Sequence, residues 1–349
     1  MSLELEIGGK SIPPGLRTTI EVPLPPLYTH TPMVMPAHVV RGQREGPILL
    51  LSAAIHGDEL NGIEIIRRVL QLPSISRIKG SIIAVPVVNV YGFIHWSRHL
   101  PDRRDLNRSF PGSDKGSLAA RLADIFLTEL VTKCTHGVDL QTGAIHRSNL
   151  PQIRANLDDM VTLEMAKAFG TPVVLNSNLR DGSLREAADS RGVKMLLYES
   201  GEALRFDEIS IRGGVRGVIN IMRHLEMLPR SKRKSQAKPV IARSSKWLRA
   251  TASGLLKTLK PLGASVNRGE LLALIDDPLG DNQAELKAEF SGIIIGRTEI
   301  PLVHEGEAIF HIARFDDIKE AENHVESFQT EHAPVDLTIN QQHEEPPIV

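Results

Sequence analysis

The chain has 349 residues, of which 41% are hydrophobic and 24% charged, values that are ordinary for a globular protein. At roughly 150 residues per domain, this length is enough for two domains. The net charge of −1 gives no electrostatic reason to expect a nucleic acid or an anionic membrane as partner. The sequence has one cysteine, Cys134, no signal-peptide pattern and no run near the ~18 apolar residues of a membrane span. These features exclude an internal disulfide and lead us to expect a soluble, cytoplasmic protein.

Alternating strand and helix patterns fill most of the first two thirds of the chain. Residues 1–46 are rich in proline with short strand-like pieces, which predicts antiparallel edge strands. Apolar runs predict strands at 48–55, 80–89, 136–143, 171–177 and 193–201. Helical spacing is found at 59–72, 117–132, 158–168 and 211–227. This alternation predicts an α/β domain over residues 1–228, with a mostly parallel sheet flanked by helices.

The remaining third has a different texture. Residues 229–243 combine proline, serine and positive charge, which favours a solvated linker over a nucleic-acid arm, because no aromatic residues are interleaved. Residues 244–314 show short strands and regularly placed glycines, which predicts a small all-β domain whose rhythm resembles the biotinyl/lipoyl-type sandwich. Its hairpin at 277–283 lacks the lysine of a carrier domain, so a structural or site-capping function is expected. The polar tail, 315–349, is predicted to be disordered.

The most informative segment is residues 48–70. The apolar run Ile48–Ile55 predicts a strand buried on both faces, and it stops at His56-Gly57-Asp58-Glu59, after which a helical pattern begins. Open α/β sheets bind ligands beyond the carboxyl ends of such strands. Zinc accepts both imidazole and carboxylate ligands, so His56 and Glu59 are candidate metal ligands. The alternative interpretation is a solvated loop that happens to contain both residues.

Three further polar segments follow predicted strands. Residues 97–112 are dense in arginine, whose planar fork suits carboxylates and carbonyl oxygens, although surface charge is the alternative. The strand at 136–143 contains Asp139-Leu140-Gln141. A third strand ends at Glu199, which is a candidate general base, or else a structural acceptor of backbone N–H groups.

Four motifs stand in one order: HGDE (56–59), DLNRSFPG (105–112), DLQTG (139–143) and YESG (198–201). Together they resemble those of the succinylglutamate desuccinylase/aspartoacylase family of zinc hydrolases, relatives of the carboxypeptidase A-like fold. The resemblance covers residues 45–228, and the small C-terminal β domain also fits it. It implies an α/β metallohydrolase that binds one zinc per chain.

The resemblance also implies functions for individual residues. His56 and Glu59 would be zinc ligands, and Glu199 the general base that later protonates the leaving amine. An arginine upstream of the second motif would polarise the scissile carbonyl, and both Arg98 and Arg103 are candidates. Substrate contacts would come from a further set of polar residues, namely Asn107, Arg108, Arg147, Asn149 and Arg154.

One position departs from the family pattern. The third ligand is normally the histidine of a DLH motif, and this chain has Gln141 there. An amide oxygen is a poorer zinc donor than an imidazole nitrogen and shifts the preference toward harder cations. Three outcomes are open: Gln141 binds the metal, a nearby histidine replaces it, or the metal is lost. His146 is a better replacement than His136, which lies five residues back along an extended segment.

The sequence thus predicts a zinc-dependent amidohydrolase that cleaves an N-acyl amide of a small anionic substrate, such as an N-acyl amino acid. The competing hypotheses are a non-catalytic binding homologue with a degenerate metal site and a metallocarboxypeptidase. Neither nucleic acid nor membrane is an expected partner. Aspartoacylase-like enzymes are often dimers, so the resemblance makes a homodimer one expected state.

Overall fold

A computed structural model describes residues 5–230, 240–242 and 244–334. The strands of these residues are β1 (Leu5–Ile7), β2 (Lys10–Ile12), β3 (Arg17–Leu24), β4 (Met33–Arg41), β5 (Arg44–Ala53), β6 (Lys79–Val85), β7 (His136–Gly143), β8 (Arg147–Ala155), β9 (Val173–Asn176), β10 (Lys194–Glu202), β11 (Val240–Ala242), β12 (Ser244–Arg249), β13 (Gly254–Thr258), β14 (Ser265–Val266), β15 (Leu271–Asp276), β16 (Gln283–Lys287), β17 (Gly292–Thr298), β18 (Leu302–Val303) and β19 (Ala308–Arg314). The α-helices are α1 (Asn61–Leu70), α2 (Val90–Ile94), α3 (Leu118–Glu129), α4 (Met160–Phe169), α5 (Leu184–Asp189), α6 (Glu208–His224) and α7 (Ile318–His332).

A large sheet runs through the molecule in the order β12-β19-β17-β8-β10-β7-β5-β6-β4-β3. Its centre, β10-β7-β5-β6, is parallel. Strands β5 and β6 contain long apolar runs because both faces of the sheet are covered. Leu50 packs into one hydrophobic cluster with α3 and α5, whereas Leu49 and Leu51 pack into a second cluster with α1, α4 and α6. None of the helices in the described ranges is long and apolar enough to cross a bilayer.

The mixed α/β architecture agrees with the sequence prediction, but the sheet is less parallel than expected. On one side β6, β4 and β3 are antiparallel neighbours, as predicted for the N-terminal edge. On the other side β10, β8, β17, β19 and β12 are all antiparallel neighbours. Along this path the strands are therefore parallel only at the centre of the sheet; β9, which pairs in parallel with β8, branches off the path.

The predicted C-terminal β domain is not separate from the sheet. Strands β13, β15, β16 and β18 form a four-stranded sheet of their own, with a hydrophobic cluster that includes Leu256, Leu272 and Phe310. However, β17 pairs directly with β8, so β12, β17 and β19 extend the central sheet. The predicted boundary at residue 244 is therefore a change in composition rather than a structural division.

Two further expectations need correction. Part of the predicted linker, Val240–Ala242, is a strand that pairs in parallel with β9. The predicted disordered tail contains α7, which is capped by Asp317 and buries Ala321, Val325 and Phe328. These residues recur at helical spacing, and the surrounding Glu, His and Gln hid that stripe in the composition. Residues 231–239, 243 and 335–349 of the predicted linker and tail lie outside the described residues.

Candidate functional site

A polar cavity of about 400 Å³ lies beyond the carboxyl ends of the central parallel strands. This is the edge at which open α/β sheets bind their ligands. Its polar and charged lining includes His56, Glu59, Arg98, Asn107, Arg108, Asp139, Gln141, Arg147, Asn149, Arg154, Arg180, Arg185 and Glu199. All eight site residues predicted from the sequence (His56, Glu59, Arg98, Asn107, Arg108, Gln141, Arg147 and Glu199) therefore line one cavity.

His56 and Glu59 come from the turn between β5 and α1. His56 Nδ1 lies 2.7 Å from Glu59 Oε1, and both side chains are almost completely buried. Gly57 lets this turn approach the chain at Gly92, where a Cβ atom would come within 2.1 Å of the Gly92 carbonyl carbon. The glycine of the HGDE motif is thus required by close backbone packing.

Each of these two side chains is held from behind by a second partner. His56 Nε2 lies 3.0 Å from Asp105 Oδ1, and the Thr142 N–H donates to Glu59 Oε2 at 3.2 Å. A neutral imidazole that donates Nε2–H to Asp105 would present the lone pair of Nδ1 to a cation beside Glu59. The sequence reading gave Asp105 no function of its own, although its place in the DLNR motif was noted.

Burial and neighbouring charges shift the pKa values of His56, Glu59 and Asp105. Burial alone would lower the pKa of His56, but Glu59 and Asp105 outweigh it and raise the pKa to about 9. Burial raises the pKa of Glu59. Burial would also raise the pKa of Asp105, yet His56 and Arg98 hold it well below its usual range. A group with this balance of charges can accept a cation in place of the imidazolium proton.

Gln141 is buried on β7 and hydrogen-bonded to its own strand. Its Nε2 donates to Asp139 Oδ2 at 2.5 Å, and Asp139 Oδ1 accepts from Ser52 Oγ at 2.7 Å. Across the described parts of the chain, no three His, Cys, Asp or Glu side chains are grouped to hold a metal. A third ligand beside His56 and Glu59 would therefore have to be a different type of residue, and Gln141 lines the same cavity.

The structure does not bring His146, the candidate replacement ligand, to the cavity. His146 is exposed in a turn with φ of 62°, and its backbone N–H donates to Glu202. The segment after it is the strand β8 rather than a loop that folds back, so its side chain does not line the cavity. The donors that fit a divalent cation are therefore His56 Nδ1, Glu59 Oε1 and the Gln141 amide oxygen, a nitrogen and two oxygens.

Glu199 lies at the end of β10, next to Gln141. The two residues are register partners on parallel strands. Asn149 Nδ2 donates to Glu199 Oε2 at 3.0 Å. Arg154 Nε lies 3.1 Å from the same oxygen as an ion pair, without the alignment of a hydrogen bond. A carboxylate held in this way, with 15% of its side chain exposed, can exchange a proton with a molecule in the cavity.

Of the two upstream arginines, Arg98 is the one in the cavity. Its Nη2 donates to Asp105 Oδ2 at 3.0 Å, and its Nη1 lies 3.5 Å from Glu59 Oε1. Arg103 is exposed, with φ of 62°, and does not line the cavity. Arg98 is thus the guanidinium beside the candidate metal ligands.

Arg185 was missed by the sequence reading. It is only 8% exposed, it donates to Ser177 O and Oγ, and burial lowers the pKa of its guanidinium. Within the described residues it forms no salt bridge, which leaves a buried positive charge at the cavity wall. The signal for its position was the Ser183-x-x-Glu186 capping pattern that starts α5. Its neighbour Arg180 lines the same wall.

Two other walls come from the DLNR motif and the C-terminal strands. Asn107 Oδ1 accepts from the N–H of Leu184, which ties this motif to the start of α5, and Arg108 lines the cavity beside it.

Trp247 of β12 also lines the cavity, stacked on His311 with ring centroids 4.7 Å apart. The guanidinium of Arg147 lies 5.2 Å from the centroid of the Trp247 ring. The C-terminal part of the chain therefore contributes one wall of the cavity, through the side chain of Trp247.

A larger cavity of about 790 Å³ lies at the opposite end of the parallel strands, where β5 and β6 begin. Its lining is mostly apolar and basic, including Arg44, Lys79, Met227 and Leu228. No histidine and no pair of carboxylates is among the described residues that line it. The smaller, polar cavity is therefore the candidate active site.

A family model, the succinylglutamate desuccinylase/aspartoacylase catalytic domain, matches residues 45–225. The chain belongs to this family. The match spans the four motifs and more than half of the sequence. As a succinylglutamate desuccinylase/aspartoacylase family member, the protein is a hydrolase that acts on carbon–nitrogen bonds in linear amides.

Similar proteins extend the likeness beyond the catalytic domain. The N-alpha-acetyl-L-2,4-diaminobutyric acid deacetylase of Halomonas elongata is 29% identical over 294 residues, covering 80% of this chain and 86% of the relative. The product-bound structure of the ectoine utilization protein EutE (DoeB) from Ruegeria pomeroyi is 25% identical, with a TM-score of 0.77 over 86% of this chain and 95% of that one. A family structure from Rhodobacter sphaeroides shares the fold at 24% identity and the same TM-score, over 86% and 96% of the two chains.

Proposed function

We propose that this family member is a zinc-dependent deacylase that hydrolyses the amide bond of a small anionic N-acyl compound, such as an N-acyl amino acid. The observation that carries the proposal is the buried His56–Glu59 pair, with Nδ1 and Oε1 2.7 Å apart and Asp105 behind the imidazole. A carboxylate behind a histidine is the arrangement that fixes metal-binding imidazoles in metalloenzymes.

His56, Glu59 and Gln141 would hold one zinc per chain. When bound, a zinc ion supplies Lewis acidity toward water and toward the scissile carbonyl. The replacement of the usual histidine by Gln141 weakens this donor set for zinc without changing its formal charge.

Glu199 is the proposed general base. Its Oε2, held by Asn149, accepts a proton from the attacking water, and the same oxygen then delivers that proton to the leaving nitrogen. Arg154 Nε lies 3.1 Å from the same oxygen, so a positive charge stands beside the proposed base. The products are a carboxylate and a free amine.

Arg98 is proposed to stabilise the oxyanion that forms when the carbonyl is attacked. Its guanidinium is already oriented by Asp105 beside Glu59, so no rearrangement of the side chain is needed. Asn107, Arg108, Arg147 and Arg185 would bind the carboxylates of the substrate. Arg108, Arg147 and Arg185 form no salt bridge to any residue in the described part of the chain, which supports an anionic ligand over a cationic one.

The test is a hydrolysis assay on protein purified without chelator, with zinc content measured by elemental mass spectrometry. The panel would contain Nα-acetyl-diaminobutyrate, N-acetylaspartate, N-succinylglutamate and a dipeptide. We expect about one zinc per chain and amine release from the polyanionic compounds. Release from the dipeptide instead would favour the metallocarboxypeptidase alternative.

A second function, non-catalytic anion binding, is favoured by one observation. The described residues provide no third ligand of the usual types for the His56–Glu59 pair. Zinc content near zero, with none retained after zinc is added, would support this binding protein and contradict the deacylase.

The proposed cytoplasmic location rests on the single cysteine, Cys134, which is buried and unpaired.

A further inference from the structure

We propose that Asp139 is a positioning residue that orients the amide of Gln141, so that Oε1 rather than Nε2 is presented to a divalent cation at His56 and Glu59. This inference rests on the proposed function, because it takes a cation at His56 and Glu59 as given. It concerns how this chain replaces the missing histidine.

The first step is the backbone register. Ser52 on β5 and Asp139 on β7 are direct partners of neighbouring parallel strands. Gln141 lies two residues further along β7, so its side chain leaves the sheet on the same face as Asp139. The three side chains therefore form one buried row that ends at the cavity.

The second step is the hydrogen bonding of this row. Ser52 Oγ donates to Asp139 Oδ1, and Gln141 Nε2 donates to Asp139 Oδ2. Both carboxylate oxygens of Asp139 are thus acceptors here, so the NH₂ group of the Gln141 amide is the one that faces Asp139. A rotation of the amide by 180° would bring the two oxygens together. Oε1 is therefore the atom left to face the ligand space.

The third step is the assignment of Asp139 itself. Its side chain is 1% exposed, and no group of three acidic, histidine or cysteine side chains among the described residues is arranged around a metal position. Asp139 is therefore not a replacement ligand. Its relation to Gln141 parallels the relation of Asp105 to His56 and of the Thr142 N–H to Glu59. Each of the three donors thus has one partner that fixes its orientation.

The experiment measures dissociation constants of Zn²⁺ and Mn²⁺ on the metal-free protein by competition with a chelator. Asp139→Leu and the isosteric Asp139→Asn are each made in the wild type and in a Gln141→Leu background. Tyr198→Phe is the matched control, since it removes a buried hydrogen bond to Ser210 from the neighbouring strand without lining the cavity. Near-UV circular dichroism with chelator present reports the fold without the cation.

We expect Asp139→Leu to weaken cation binding by about 10- to 100-fold, the usual effect of removing the partner of a metal ligand. Asp139→Asn should weaken it less, because the asparagine oxygen can still accept from Nε2. In the Gln141→Leu background both effects should vanish, and Tyr198→Phe should leave binding unchanged in either background.

An equal loss in both backgrounds would overturn the proposal, since Asp139 would then act on the fold and not through Gln141. Cation binding of wild-type strength in both Asp139→Leu and Asp139→Asn would also overturn the proposal, while the proposed deacylase would stand. A wild type that binds neither cation would remove the zinc site of the proposed function together with this inference.

Discussion

Gln141 and Glu199 are register partners on the parallel strands β7 and β10, so both side chains leave the sheet on the same face. Adjacent strands lie about 4.8 Å apart, which brings the candidate third ligand and the candidate base together through the backbone alone. His56 and Glu59 reach the cavity differently, from a turn fixed by Asp105 and Thr142. The site therefore joins two residues of the rigid sheet to two residues of a braced loop.

Glu199→Gln should lower kcat by about 10²- to 10⁴-fold, because the amide cannot take the proton of the attacking water. Its hydrogen-bond partner Asn149 can rotate its own amide, so the fold and the zinc content should stay unchanged. Amine release under substrate saturation is the measurement. Glu164→Gln, on the exposed surface of α4, is the control. A kcat within a few-fold of the wild type would mean that another group is the base.

Arg98→Lys should lower kcat/KM by about 10²-fold, since a lysine loses the fork that contacts both Asp105 and the oxyanion position. Arg103→Lys, a few residues along the chain but exposed, should have no effect. Steady-state kinetics of the two variants side by side compare the cavity arginine with the surface arginine. Equal effects of the two substitutions would contradict the assignment of Arg98.

Gln141→His should restore the usual second imidazole and strengthen zinc binding by at least about 10-fold, because nitrogen is the better donor for zinc. The ratio of the zinc affinity to the manganese affinity should rise with it. Competition with a chelator measures both constants. An unchanged ratio would show that residue 141 does not contact the cation.

Arg185→Met should raise KM by more than about 10-fold for polyanionic substrates, since a charge-assisted contact is lost. The free energy of unfolding should stay level or rise, because a buried guanidinium without a salt-bridge partner in the described structure is replaced by an apolar side chain. Thermal melts and KM values of the same variant would show whether substrate binding weakens while stability is kept. A large loss of stability would instead make Arg185 a structural residue.

Phe328→Ala should lower the free energy of unfolding by about 3–5 kcal/mol, the usual range for a buried phenylalanine that is truncated to alanine. Phe328 is 7% exposed and stacks on His332, with ring centroids 4.2 Å apart. Glu326→Ala, on the exposed side of the same helix, should change stability little. Urea denaturation gives both values, and equal stabilities would mean that α7 adds nothing to the fold.

Strong local patterns made the centre of the fold predictable. The run Ile48–Ile55 and the strand ending at Glu199 are predominantly apolar, which is the composition expected of strands buried in a parallel sheet. The catalytic motifs follow these strands, so their convergence could be predicted from the rule for parallel sheets. The eight predicted site residues accordingly line one cavity.

The missed features depend on pairing between distant segments. Strand β8 carries Pro151 and several polar residues, a composition that argues against a strand. The proline lies where the register between β8 and β10 shifts, so the strand tolerates it. Arg185 and Trp247 enter the cavity from elements far along the chain, and no short pattern links them to the motifs.

The pairing of β17 with β8 has a consequence for the integrity of the protein. Gly296 and Thr298 are the backbone partners of Asn149 and Arg147, two residues that reach the cavity. A shortened chain that stopped before Gly292 would leave this part of β8 as an open edge, ready to pair with a strand of another molecule. By pairing with β8, strand β17 thus covers an edge of the catalytic sheet that could otherwise pair with another molecule. It cannot swing away as a hinged cover without breaking the ladder that holds Arg147 and Asn149 in place.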